Sequence, residues 1–276
     1  MIVIVTDSTA YLTRTEAVTL GVMVVPMSYS VDGGANYFEG YVDDSDAYEQ
    51  LVADNLTRMH TSQVPYSTFM HAFTELRKAA HDVLCVTMSS RLSGTYANAT
   101  VAAKEIGDGH IEVVDSRLSA GGLSLMVKEA RKLCERRLSL SEVAAALRKR
   151  RDAVHTVFSV DDMEALRRSG RLGNVKMSIS TILNIKPLLK MHDGSIVSAG
   201  IARGSGEQIK KLVQTLDVPK GKIIVEQFLG AKTAQRLCNV LEEEGYEVCV
   251  RRVGPVLGVH LGYGSVGATW IEPEEE

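Results

Sequence analysis

Short apolar runs alternate with amphipathic stretches through the first half of the chain, and this alternation constrains the fold more than any other feature. Ile2–Val5, Val22–Val25, Val83–Thr87 and Ile111–Val114 are too short for helices and read as strands. Helical stretches lie between them, from about Thr13 to Leu20, Asp43 to Ala53, Ser67 to Ala80 and Gly94 to Glu105. Leu123, Val127, Ala130 and Cys134 then share one face of a further helix. Ser139-x-x-Glu142 is a capping box opening another, with Leu140, Val143, Ala144 and Leu147 on its apolar face. Strands spaced by helices make βαβ units, which require a mainly parallel sheet.

The second half has a different texture. His155–Val160 reads as extended and Asp161–Arg168 as helical. Leu188–Met191 and Ile196–Ala199 flank Asp193-Gly194, a hairpin turn. A helix carrying Ile209, Leu212, Val213 and Leu216 precedes the strand Ile223–Phe228, and a helix with Ala234, Leu237, Cys238 and Leu241 follows it. Glu247–Val253 and Ala268–Ile271 read as closing strands. A hairpin among α/β units predicts a mixed sheet covered by helices, with a domain boundary near residue 155.

Composition narrows the function classes. Lys and Arg number 31 against 34 Asp and Glu, a net charge of −3, which argues against nucleic acid as the main partner. No apolar run approaches the roughly 18–20 residues of a membrane span, and the start MIVIVTDST lacks the features of a secretory signal. Cys85, Cys134, Cys238 and Cys249 form no CxxC pair and read as free thiols in a reducing cytoplasm. Gly262-Tyr263-Gly264-Ser265-Val266-Gly267 fits GxGxxG, but too little chain follows for a dinucleotide-binding helix. There is no Walker A sequence, no GxSxG elbow and no metal-ligand cluster, so no cofactor and no metal are expected.

Three polar segments, all read as loops, hold the candidate chemistry: Thr61-Ser62-Gln63, Ser89 through Thr95, and the glycine-rich Gly254 through Gly262 with its single His260. The second follows a buried parallel strand and opens a helix, where hydroxyls and backbone N–H groups can hold an anion. Ser93 can equally serve only as a helix cap, and His260 can serve only as a packing residue. A serine esterase built on Ser93 and His260, with Asp7 or Asp115 as the acid, fits the residue types as well. Spacing alone leaves the ligand unnamed.

These segments, in this order, resemble the DegV family, the fatty-acid-binding proteins of bacterial fatty acid kinase systems. Val5-Thr6-Asp7-Ser8 is similar to the family's start, Thr61-Ser62-Gln63 to its TSQ motif, and Ser93-Gly94-Thr95-Tyr96 to its SGTY motif, with Val114-Asp115-Ser116 following. Arg168 through Leu172 resembles (K/R)xGR(I/L), Leu183 through Leu189 resembles LNIKP and its extension, and Gly254-Pro255 through His260 resembles GPxxGxHxG. Two departures stand out: Val64-Pro65 replaces Pro-Ser after TSQ, and Tyr263 replaces a proline after the histidine motif. Both are expected to reshape the pocket mouth.

The resemblance implies an α/β fold of two domains, an N-terminal α/β/α parallel-sheet domain (1–155) and a C-terminal two-layer mixed α/β domain (156–276), with the lipid between them. It implies a long-chain fatty acid such as palmitate or oleate, held at its carboxylate by Thr61, Ser93 and His260, with Ser62, Gly94 and Thr95 in support. It further implies that the protein is not itself an enzyme but presents the carboxylate to a separate ATP-dependent kinase subunit. The acyl-phosphate then enters phospholipid synthesis. Arg171 and Arg203 are the expected kinase-docking residues.

Overall fold

The computed structural model describes residues 1–43, 48–161, 163–172, 184–216 and 218–274. The first half runs β1 (Ile2–Asp7), α1 (Arg14–Leu20), β2 (Val22–Val25), β3 (Met27–Val31), β4 (Tyr37–Glu39), α2 (Tyr48–Asn55) and β5 (Met59–Ser62). It continues as α3 (Tyr66–Lys78), β6 (Asp82–Thr87), α4 (Thr95–Ile106), β7 (Ile111–Asp115), α5 (Ala120–Cys134) and α6 (Leu140–Arg150). Four strands form a wholly parallel sheet in the order β2-β1-β6-β7. The pair α3 and α4 and the pair α5 and α6 both pack on it. Ile4, Val5, Val83, Leu84, Cys85 and Val86 are therefore buried in succession, as continuous apolar runs covered on both faces must be.

Asp32-Gly33 reads from the sequence as a turn between extended segments, and β3 and β4 flank it as an antiparallel pair; the third strand of their small sheet β4-β3-β5, β5, was not expected. It corrects the reading of Thr61-Ser62 as loop: both lie in β5, paired with Tyr29 and Ser28 of β3. Met59-His60-Thr61-Ser62 lacks an apolar pattern, so its strand conformation comes from its neighbour and not from its own propensity.

The second half runs β8 (Val154–Ser159), α7 (Glu164–Ser169), β9 (Ile185–His192), β10 (Ser195–Arg203), α8 (Gly204–Gln214), β11 (Lys222–Phe228), α9 (Ala231–Glu243), β12 (Glu247–Arg252), α10 (Pro255–Leu261) and β13 (Ser265–Ile271). Its six strands make a mixed sheet, β10-β9-β8-β13-β11-β12, in which only β11 and β12 are parallel. The Asp193-Gly194 hairpin stands, with both residues at positive φ (46° and 79°) as a two-residue turn of this hand requires. Leu183, the first residue of the LNIKP segment, lies outside the described residues. One face of the sheet carries α8 and α9 over Leu212, Val225 and Leu237. The other faces α5, which touches strands of both large sheets. That double contact explains why α5 buries ten of its residues.

The glycine-rich segment corrects a second expectation. It is a helix, α10, with Gly254 as N-cap, Pro255 at the first position and Gly262 (φ 80°) closing it. Gly258 lies directly against the Phe228 ring, where a Cβ would overlap it. The glycine here allows close packing, not a turn.

Candidate functional site

A cavity of about 340 Å³ lies where β5, the loop after β6, α7 and α10 meet the inner face of the mixed sheet. Met27, Met88, Leu92, Phe158, Leu166, Met191, Phe228 and Leu257 give it an apolar wall. Thr61, Ser62, Gln63, Ser93, Arg171 and His260 are its polar lining at the partly exposed end.

Three distant segments bring the expected anchor residues together. Thr61 Oγ1 lies 2.9 Å from His260 Nε2, joining β5 to α10 across 199 residues. Ser93 Oγ is 3.0 Å from Thr95 Oγ1 and accepts from Thr95 N–H at 3.3 Å. Thr95 Oγ1 in turn accepts from Val64 N–H at 3.3 Å, and Asn98 Nδ2 donates to the Val64 carbonyl at 2.8 Å, so the TSQ and SGTY segments are tied together. Ser62 lines the cavity, whereas Gly94 and Thr95 stand behind it. Gly94 lies against the Gln63 amide, which a Cβ there would displace.

The electrostatics suit an anion. Burial, then the Arg171 and Arg168 guanidinium groups, push the His260 pKa down to about 4, so the ring is neutral at pH 7. Among the described residues its buried Nδ1 has no hydrogen-bond partner. The esterase arrangement is not assembled among the described residues. Asp7 accepts from Thr9 and Met88, and Asp115 from Ser90 and Arg117, so neither orients the His260 ring.

Arg171 sits at the rim, with Nε donating to the Leu92 carbonyl at 3.4 Å. Arg203, at the junction of β10 and α8, is exposed and absent from the lining. The two departures from the family pattern lie outside the cavity lining. Val64 is wholly buried, and Tyr263 Oη donates to the Ala53 carbonyl at 2.7 Å, fastening the end of α10 to α2.

Sequence reasoning missed the group that holds these walls in place. Asp7 Oδ2 accepts from Met88 N–H at 2.7 Å, Ser8 Oγ from Met27 N–H at 3.1 Å, and Glu39 Oε2 from Val256 N–H at 2.9 Å. Each donor belongs to a residue lining the cavity. Tyr11 Oη accepts from Leu257 N–H at 3.3 Å, so Glu39 and Tyr11 together satisfy the start of α10. Burial raises Asp7, and it raises Glu39 to about 8. The signal available in the sequence was Asp7-Ser8 ending a buried strand and Glu39 beside aromatic residues.

Comparison with known proteins agrees with this architecture. The model of the DegV family, described as uncharacterised proteins, matches residues 1–273. A DegV domain-containing protein of Halalkalibacterium halodurans is 31% identical, with 98% of each chain covered. A Thermus thermophilus DegV family protein, whose structure was described for its fatty acid binding, superposes with TM-score 0.86 at 29% identity over 99% of each chain. A Thermotoga maritima protein described as having a fatty acid binding function gives TM-score 0.84 at 25% identity, covering 98% of this chain and 99% of that one.

Proposed function

The chain belongs to the DegV family, and from that premise we propose that it binds one long-chain fatty acid in the cavity and presents the carboxylate to a separate ATP-dependent kinase subunit. The observation that carries this reading is a cavity with an apolar wall that ends in two hydroxyls and a neutral imidazole. Relatives at 25–29% identity described as fatty-acid binders support it. Each methylene contributes about 0.8 kcal/mol, so roughly 14 of them supply about 11 kcal/mol before association costs, and the tail dominates affinity.

The head group needs donors because a desolvated carboxylate without them is unstable. Thr61 and Ser93 donate their hydroxyl protons to it and His260 completes the network, with Ser62 beside them. Gly94 and Thr95 act indirectly, by holding Gln63 and Ser93. Uncharged donors orient the carboxylate without locking an oxygen that must accept a phosphoryl group. Residues 1–155 and 156–276 serve as two domains closing over the ligand, and Arg171 and Arg203 dock the kinase.

The test is mass spectrometry of organic extracts from the purified protein. About one fatty acid of palmitate or oleate class per chain is expected. A chain that is empty and takes up neither added acid overturns the reading. Incubation with kinase subunit and ATP should convert the bound acid to acyl-phosphate, and a protein that binds lipid but never supports that conversion would refute the presentation role alone.

A further inference from the structure

The cavity has a second polar group, at the end away from the hydroxyls. Thr156 and Glu226 line it, each two residues along its strand from Phe158 and Phe228, on the same sheet face. Phe228 packs on α10 and β8 leads into α7, so the two phenylalanines lie nearer His260 and the pair Thr156 and Glu226 lies deeper. Thr156 is 9% and Glu226 5% exposed, whereas Ser62, Gln63 and Arg171 at the other end are open to solvent.

Hydrogen bonds join these side chains in a row. Glu226 Oε2 lies 2.8 Å from Thr269 Oγ1, which lies 3.0 Å from Thr156 Oγ1. Glu226 Oε1 accepts from Gly121 N–H at 2.5 Å, an approach open because residue 121 has no side chain. Burial raises the Glu226 pKa, while the Thr269 hydroxyl, the Gly121 N–H and the Arg251 guanidinium act to lower it. These links leave lone pairs unused on both the Glu226 carboxyl and the Thr156 hydroxyl. A methyl terminus or plain methylenes pressed against those oxygens leave buried polar groups with no further partner, which is unfavourable.

We propose that Thr156, Thr269 and Glu226 form a second polar subsite, and that the acyl chain this protein selects bears a hydroxyl group on its distal half. A hydroxyl can donate to these oxygens and can also accept from the Thr156 hydroxyl, so it serves as their missing partner. The proposal rests on the fatty-acid reading above and adds the class of acid.

Displacement of a fluorescent fatty acid by stearate and by positional isomers of hydroxystearate tests it. At least one isomer hydroxylated beyond the chain's midpoint should bind tenfold or more tightly than stearate. Thr156→Val should lower the ratio of isomer to stearate affinity, both measured on the variant itself, by threefold or more, and Thr156→Ser should restore it. Thr156→Ala, read the same way, replaces the valine variant if the latter fails to fold. Wild-type protein that binds stearate as tightly as every isomer overturns the subsite and leaves the fatty-acid reading intact. A preference unchanged in both Thr156→Val and Thr156→Ala also overturns it. Displacement by none of these acids, stearate included, overturns the underlying reading instead.

Discussion

At the scale of single residues, Thr61, Ser93 and His260 each bring one polar group to the cavity, and in the proposed complex the tail supplies most of the binding energy. Removing one hydrogen bond to a charged group costs about 1.5–3 kcal/mol. Thr61→Val, Ser93→Ala and His260→Ala should therefore each lower acyl-phosphate formation by about tenfold or more while lipid still co-purifies; wild-type rates in all three would refute the anchor. Glu39 gives a pH prediction. Its pKa rises from an ordinary 4.5 to about 8 on folding, so between those values the folded chain keeps a proton that the unfolded chain has lost. Stability falls as pH rises through that window, by up to roughly 1.4 kcal/mol per pH unit, and levels off above it. Glu39→Gln keeps an acceptor for Val256 N–H and should raise the melting temperature at pH 8, with the gain vanishing toward pH 4.5. His260 has the opposite sign: with a folded pKa of about 4 against 6.5, it erodes stability as pH falls between those values. Thr61, Ser93 and His260 were picked out by the resemblance of their segments to the family's motifs, since a hydroxyl or a lone histidine fits other roles equally well. Glu39 and Glu226 were not, since only the tertiary structure shows that an acid in a strand is buried.

At the scale of elements, α10 is where local propensity and final structure part. Three glycines in nine residues, Gly254 through Gly262, read as loop. Yet Pro255 fixes the first turn, Glu39 and Tyr11 occupy its free N–H groups, and Phe228 needs the bare Cα of Gly258. Gly258→Val should push α10 off the mixed sheet, with an overpacking penalty of about 1–3 kcal/mol. It should cut lipid occupancy as His260 leaves Thr61. A melting temperature and occupancy both equal to wild type would contradict this account. The parallel strands were readable because continuous apolar runs between helices have few other solutions. β5 was not, because its pairing with β3 decides its conformation.

At the scale of the whole molecule, residues of both halves line one cavity, so the proposed ligand would touch and stabilise both together. Saturating fatty acid at about a hundred times Kd should add about 2.7 kcal/mol to stability, and a melting temperature that does not respond to lipid would count against the shared cavity. Arg171→Glu and Arg203→Glu separate docking from binding. Kinase-dependent phosphorylation should fall and extra lipid should not restore it, while lipid occupancy stays near wild type. Parallel loss of occupancy would place these arginines in the pocket's own support, a sharper question for Arg171 at the rim than for Arg203. The bonds from residues 251–257 back to Ala10, Tyr11 and Glu39 span more than 200 positions. On a ribosome adding roughly 5–20 residues per second, the parallel-sheet half waits on the order of ten seconds before the segment carrying Arg251 and α10 emerges. Until then Met27 and Met88, which line the cavity, lack the cover of α10, and apolar surface exposed during synthesis is prone to aggregate.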